Sequence, residues 1–194
     1  MATPKSIEDL RALDFKRKRR IWKPFMEKYS IDFLVELGVF EGYNFRLMVE
    51  HGPDRAVGVD AWLDDGITAR NDCGYPQERL NAMHNAVVEE HKDKDGVDIM
   101  RMYTRDAAKF FPDDSFDLIY IDADHTEEGC RRDIEDWYPK IRSGGFVTGD
   151  DYSRYRAKHT GVVFGVIEAV DKFFKDKGLE VYELPAHGWA VIKP

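Results

Sequence analysis

The stretch Ile31-Asp32-Phe33-Leu34-Val35-Glu36-Leu37-Gly38-Val39-Phe40-Glu41-Gly42 decides the fold. A short, mostly apolar run reaches an acid, meets two glycines four positions apart, and passes into a helical pattern from Asn44 to His51. That is the order strand, glycine turn, helix. The unit returns as Arg55-Ala56-Val57-Gly58-Val59-Asp60, a second buried strand that also ends on an acid.

Working outward, Val97 to Tyr103, Phe116 to Ile121 and Gly145 to Thr148 supply three more strands. Helical patterns fill the intervals: Pro76 to about His91, Thr126 to Ile141 and Val162 to Lys177, the last with Val163, Val166, Ile167, Val170 and Phe174 on one side. Pro76 suits a first helical turn. The chain closes with Leu179–Leu184, a tight turn at Pro185–Gly188, and Trp189–Ile192. Two strands so joined are antiparallel neighbours. The expected fold is α/β: a Rossmann-like, doubly wound, mostly parallel seven-stranded sheet with a C-terminal antiparallel hairpin and helices on both faces. A dinucleotide-binding fold ends instead on another parallel βα unit.

Residues 6–29 read as one or two helices of an N-terminal extension, with Ser6 as cap, that covers the sheet edge or a site. No linker, repeat or low-complexity tract divides residues 1–194, so one domain is expected. The net charge of −8 repels polyanions and disfavours nucleic acid as partner. The local run Lys16-Arg17-Lys18-Arg19-Arg20 reads as a solvated helix face. No apolar run approaches the roughly 18–20 residues that span a bilayer, and Cys73 and Cys130 make no disulfide framework. A soluble, cytoplasmic protein is expected, with homo-oligomerisation left open.

Ligands of doubly wound sheets bind at the carboxyl ends of the strands, so each strand end declares what it offers. The first offers Glu36, Gly38 and Gly42. Glycines allow close approach of a ligand to the backbone at a helix start. An acid before the first glycine argues against a pyrophosphate and for a ligand with an ammonium group. The second offers Asp60, eighteen residues past Gly42, placed to accept from both hydroxyls of a ribose. After the third, Thr104-Arg105-Asp106 can face an adenine, although Asp106 equally suits a cap of the helix that begins at Ala107.

Strand four ends Asp122-Ala123-Asp124-His125 and strand five ends Gly149-Asp150-Asp151-Tyr152. Four carboxylates and an imidazole thus converge, and their mutual repulsion calls for a cation. Oxygen-rich clusters suit Mg²⁺, Ca²⁺ or Mn²⁺, while any single acid among them also suits a cap of the helices near Thr126 and Arg154. The polar stretch 61–75 and the loop of Tyr152, Tyr155, Arg156, Lys158 and His159 are the candidate walls of an acceptor site. His51, His84, His91 and His187 lack ligand-like spacing and read as surface or packing residues.

Glu36-x-Gly-x-x-x-Gly42, Asp60, Phe116 to His125, Trp137 to Gly145 and Gly149-Asp-Asp-Tyr152 together resemble class I S-adenosylmethionine-dependent methyltransferases. The wording is most similar to the small-molecule O-methyltransferases that include the sugar-modifying enzymes of macrolide and aminocoumarin biosynthesis. The resemblance implies Glu36, Gly38 and Gly42 around the methionine part of the cofactor, Asp60 on its ribose and Asp106 near adenine, with Asp122 also a cofactor-binding residue. It further implies a divalent metal, Mg²⁺ by preference, on Asp122, Asp150 and Asp151, with Asp124 or His125 as catalytic base and a small molecule as acceptor. Metal-free methylation of nitrogen or carbon, and a cofactor-binding module without catalysis, are the rival readings.

Overall fold

The computed structural model of the 194-residue chain describes residues 22–66, 73–158 and 160–194. The basic run at 16–20, the Ser6 cap, the first part of the N-terminal extension and His159 lie outside the described residues. The elements run α1 (Trp22–Tyr29), β1 (Phe33–Leu37), α2 (Tyr43–Val49), β2 (Arg55–Asp60), α3 (Gln77–His91), β3 (Val97–Arg101) and α4 (Thr104–Ala107). They continue as β4 (Phe116–Ile121), α5 (Glu127–Trp137), β5 (Ile141–Gly149), α6 (Val166–Lys175), β6 (Tyr182–Leu184) and β7 (Gly188–Ile192).

The seven strands form one sheet in the order β3-β2-β1-β4-β5-β7-β6. Pairings among β3, β2, β1, β4 and β5 are parallel, and β7 runs antiparallel to both β5 and β6. β7 is therefore the single reversed strand. The order turns back between β1 and β4, and a crevice opens there outside the strand ends.

Side chains alternate across a strand, so the central strands feed two cores. Leu34, Leu118, Tyr120 and Phe146 pack with Trp22, Phe25, Phe45, Met48 and Val87 from α1, α2 and α3. Val35, Val57, Ile119, Ile121 and Val147 pack with Cys130, Ile134, Trp137, Val170 and Phe174 from α5 and α6. Glu36 shares the parity of Leu34 and thus lies on the α1–α3 side. At the opposite end of the sheet Asp117, on β4, accepts from the Asp32 and Phe33 N–H groups at 2.8 and 2.7 Å and pairs with Arg142. This ties the start of β1 to its neighbour.

Several boundaries differ from the sequence reading: β3 ends at Arg101 and not Tyr103, α6 runs Val166–Lys175 and not Val162–Lys177, and β6 begins at Tyr182 and not Leu179. The helix expected to reach Ile141 stops at Trp137 and tightens into a 3₁₀ turn over Tyr138–Lys140, because Pro139 has no N–H to continue it. Ile141 instead opens β5, which runs through Arg142-Ser143-Gly144-Gly145 before its apolar part. The terminal hairpin turns through a short 3₁₀ segment, Pro185–His187, with Ala186 and His187 at positive φ.

Candidate active site

A cavity of about 620 Å³ opens at the carboxyl ends of the central strands. Its floor comes from Glu36 on β1, Asp60 on β2, Tyr120 and the residues that follow it on β4, and Asp150 after β5. The β2–α3 excursion walls it through Ala61, Trp62, Leu63 and Cys73. Residues 67–72 lie outside the description.

Gly38 is demanded by close approach. Its φ is +86°, and a Cβ there would collide with the Asp122 carbonyl oxygen. The strand ends are drawn together by Asp122 N–H donating to Leu37 O and Gly38 N–H to Val59 O, both at 2.8 Å. Gly42 takes the left-handed conformation at the start of α2, and a Cβ on it would press on Val87 of α3.

Asp60 fastens the two loops that flank the cavity. One oxygen accepts from Phe40 N–H at 2.9 Å and the other from Trp62 N–H at 2.7 Å. Phe40 and Trp62 both have positive φ, a strained geometry that these bonds hold in place. The Trp62 indole donates back to Phe40 O at 2.9 Å, and Gln77 and Arg101 both donate to Trp62 O. Burial raises the Asp60 carboxyl, while the Trp62 and Phe40 backbone bonds and Arg101 oppose that rise. A carboxylate has about four acceptor sites, so both oxygens keep capacity for a ligand.

Glu36 is 1% exposed. Its Oε1 accepts from Asn44 Nδ2 at 2.9 Å, whereas Oε2 has no partner among the described residues. Burial pushes its carboxyl well above the usual range against the Asn44 hydrogen bond, and the charges of Asp122 and Asp60 add to the rise. A buried acceptor without a donor is costly. Its position on the cavity floor fits a cationic ligand group.

His125 Nε2 stands 3.1 Å from Asp122 Oδ1 and 3.2 Å from Asp151 Oδ2. Ligand atoms of these three residues all lie within 4.8 Å of one another, a spacing that can hold a metal ion. Asp151 reaches the group from a left-handed backbone, with φ of +55°. Asp150 lines the cavity but is not part of this trio, and its Oδ1 accepts the Asp151 N–H at 2.8 Å. Asp124 also lines the cavity, and its Oδ1 accepts from the N–H and hydroxyl of Thr126 at the start of α5.

Of the residues singled out from sequence, the structure thus gathers Glu36, Gly38, Asp60, Asp122, Asp124, His125 and Asp150 around one cavity. Gly42 and Asp151 are not among its lining residues; Asp151 meets Asp122 and His125, which are. Asp106 is not brought to it: the side chain is half exposed and pairs with Lys109 at 2.6 Å, while Tyr103, Thr104 and Arg105 line the wall instead. Tyr152, Tyr155, Arg156 and Lys158 do not line it either. Tyr152 donates to Asp171, and Tyr155 packs edge-on against Phe164. His91 is a packing residue, buried against Phe45 with Nδ1 bonded to Val87 O.

Three contributors escaped the sequence reading. Asn44 orients Glu36, and Tyr120 lies on the cavity floor. Asp133 lines the wall from α5, 4% exposed, and accepts from the Thr104 hydroxyl at 2.5 Å.

The sheet order, with its single reversed strand and its crevice between β1 and β4, is the fold of class I S-adenosylmethionine-dependent methyltransferases. Residues 35–152 match a methyltransferase-domain family model, and the chain belongs to that family. Among curated proteins it is similar to uncharacterized protein R132 of Acanthamoeba polyphaga mimivirus, 28% identical over 128 residues. That match covers 63% of this chain and 52% of the viral protein, so the chain spans about half the length of the curated relative it matches. Among solved structures it is similar to the S-adenosylhomocysteine-bound methyltransferase PaMTH1 of Podospora anserina, with a TM-score of 0.63 at 15% identity, covering 91% of this chain and 78% of the other. The O-methyltransferase NovP gives 0.62 at 16% identity over 92% and 78%. At such identities the likeness is one of fold. Among the described residues no helix is long and apolar enough to cross a membrane.

Proposed function

We propose that the protein transfers a methyl group from S-adenosylmethionine to a hydroxyl of a small-molecule acceptor, with a divalent cation held by Asp122, His125 and Asp151. The observation that carries this reading is the meeting of those three side chains beside a cavity that also presents the orphaned Glu36 oxygen and the Asp60 carboxyl. Glu36 takes the ammonium of the cofactor and Asp60 its ribose. Two carboxylates and one imidazole suit a hard or borderline cation. When bound, the cation supplies positive charge that acidifies a hydroxyl held near it.

S-Adenosylmethionine held by Glu36 and Asp60 would supply its methyl group to the acceptor oxygen, with the carbon–sulfur electron pair left on sulfur. Alignment of oxygen, carbon and sulfur in one cavity provides much of the rate. Asp124, which lines the cavity and is fixed by Thr126, takes the hydroxyl proton. The O-methyltransferase NovP among the structural neighbours agrees with an oxygen acceptor.

One observation favours a metal-free second reading. The same Nε2 of His125 lies within hydrogen-bonding distance of two carboxylates, so an imidazolium formed by proton uptake would be paired on the spot, and His125 would be the base. Titration with Mn²⁺, followed by paramagnetic relaxation of water, separates the two. Saturable binding that weakens at least about tenfold in Asp151→Asn supports the cation site. Absence of saturable binding in the unaltered protein favours the imidazole base.

A further inference from the structure

The Glu36 carboxyl is held by a chain of hydrogen bonds that begins outside the βα core. The Trp22 indole, on α1, donates to Asn44 Oδ1 at 2.7 Å, and Asn44 Nδ2 donates to Glu36 Oε1 at 2.9 Å. Trp22 precedes the family match, which begins at residue 35. We propose that Trp22 is a positioning residue for the amino-acid end of the cofactor: through Asn44 it fixes which Glu36 oxygen is satisfied internally and leaves the other free for the ammonium group.

The chemistry of the donors sets the direction of this chain. An indole N–H only donates, whereas a carboxamide has one donating and one accepting end. With Trp22 in place, the Asn44 oxygen must face the indole, and its NH₂ must then face Glu36. The reversed amide would set two donors against each other at Trp22 and two acceptors against each other at Glu36. Both mismatches are costly, because Trp22 and Glu36 are buried.

Trp22 cannot readily leave this position. It is 4% exposed, with Tyr120 edge-on at 5.3 Å and Phe25 at 6.1 Å between ring centroids. Tyr120 itself lines the cavity, so α1 meets the cofactor site through a ring contact as well as a bond. Glu36 Oε2, buried and without a donor among the described residues, marks where the chain ends and the ligand begins.

The inference rests on reading Glu36 as the ammonium partner, and the experiment separates failure of the one from failure of the other. S-Adenosylhomocysteine and 5′-methylthioadenosine share the adenosine and thioether, and only the first has the amino-acid end. Calorimetric dissociation constants for both ligands are measured on the unaltered chain, Trp22→Phe and Glu36→Gln. The readout is the ratio of the two constants within each protein. A variant that is partly unfolded weakens both ligands by the same factor, so the ratio is insensitive to folding losses.

Trp22→Phe keeps a packed ring and removes the donor. It is expected to weaken S-adenosylhomocysteine about three- to tenfold relative to 5′-methylthioadenosine, and Glu36→Gln is expected to reduce the ratio further. A ratio unchanged by Trp22→Phe but reduced by Glu36→Gln overturns the role of Trp22 alone. A ratio unchanged by both overturns the placement of the ammonium, and the inference falls with it.

Discussion

The Phe164 ring lies face to face with the His125 imidazole, centroids 4.4 Å apart and planes 14° from parallel. Gly165 N–H also donates to the His125 carbonyl at 2.8 Å, so the segment before α6 braces the residue at ring and backbone together. Phe164→Leu retains apolar bulk and removes the flat support. Such stacked pairs contribute about 0.5–1.5 kcal/mol, so Mn²⁺ affinity should fall about two- to tenfold. S-Adenosylhomocysteine affinity should stay within about twofold, because Glu36 and Asp60 stand on β1 and β2, away from this segment. An equal loss of both would mean that Phe164 supports the whole cavity and not the imidazole.

Cofactor binding should release a proton. In the free protein burial favours the protonated Glu36 carboxyl, and the Asn44 bond only partly opposes this. An ammonium beside Oε2 favours the carboxylate, so the bound state holds fewer protons than the free one. Affinity for S-adenosylhomocysteine therefore rises with pH across the titration of Glu36, up to about pH 7, where an α-amino group is still protonated. Calorimetry in buffers of differing ionisation enthalpy should show proton release. The release should vanish in Glu36→Gln and be absent with 5′-methylthioadenosine. Release of the same size with both ligands would assign the proton to another group.

The sheet was legible where strands are buried on both faces. β2 and β4 span Arg55–Asp60 and Phe116–Ile121, as read from the sequence, since a central parallel strand has no solvent side to interrupt its apolar run. β5 reads short because Arg142-Ser143-Gly144-Gly145 has no apolar pattern, and its register shifts against β4 at that end. β6 forms only over Tyr182–Leu184, an edge strand whose earlier residues have a single neighbour to pair with. Glu36, Asp60 and Asp122 were legible because strand ends are where such folds bind ligands. Asn44 and Trp22 were not, since their role depends on a contact twenty-two residues apart in sequence. Asp133 did leave a signal: an acid on the stripe of Cys130, Ile134 and Trp137 that α5 buries. A helix position four residues from an apolar neighbour yields no chemistry until the partner Thr104 is seen.

Asp133 makes stability depend on pH. Burial pushes its carboxyl up to about 7 despite the Thr104 hydroxyl, and the charges of Asp124 and Asp136 add to the rise. An unfolded aspartate titrates near 4, so between these values the folded state binds more protons. Its stabilising contribution is complete below about pH 4 and is lost as pH rises through about 7. Asp133→Asn keeps an acceptor for Thr104 and cannot ionise. Denaturant unfolding should show the variant gaining on the unaltered protein between pH 5 and pH 7, and a constant difference above about pH 8. A difference that is flat throughout would place the carboxyl in its ordinary range.

The placement of the cofactor is tested most directly by calorimetric titration of the unaltered protein and Asp60→Ala with S-adenosylmethionine. Hydrogen bonds to a charged group contribute about 1.5–3 kcal/mol, so removal of the Asp60 carboxylate should raise the dissociation constant about ten- to a hundredfold. Equal affinity with and without that carboxylate, or no binding by the unaltered protein, would contradict the account.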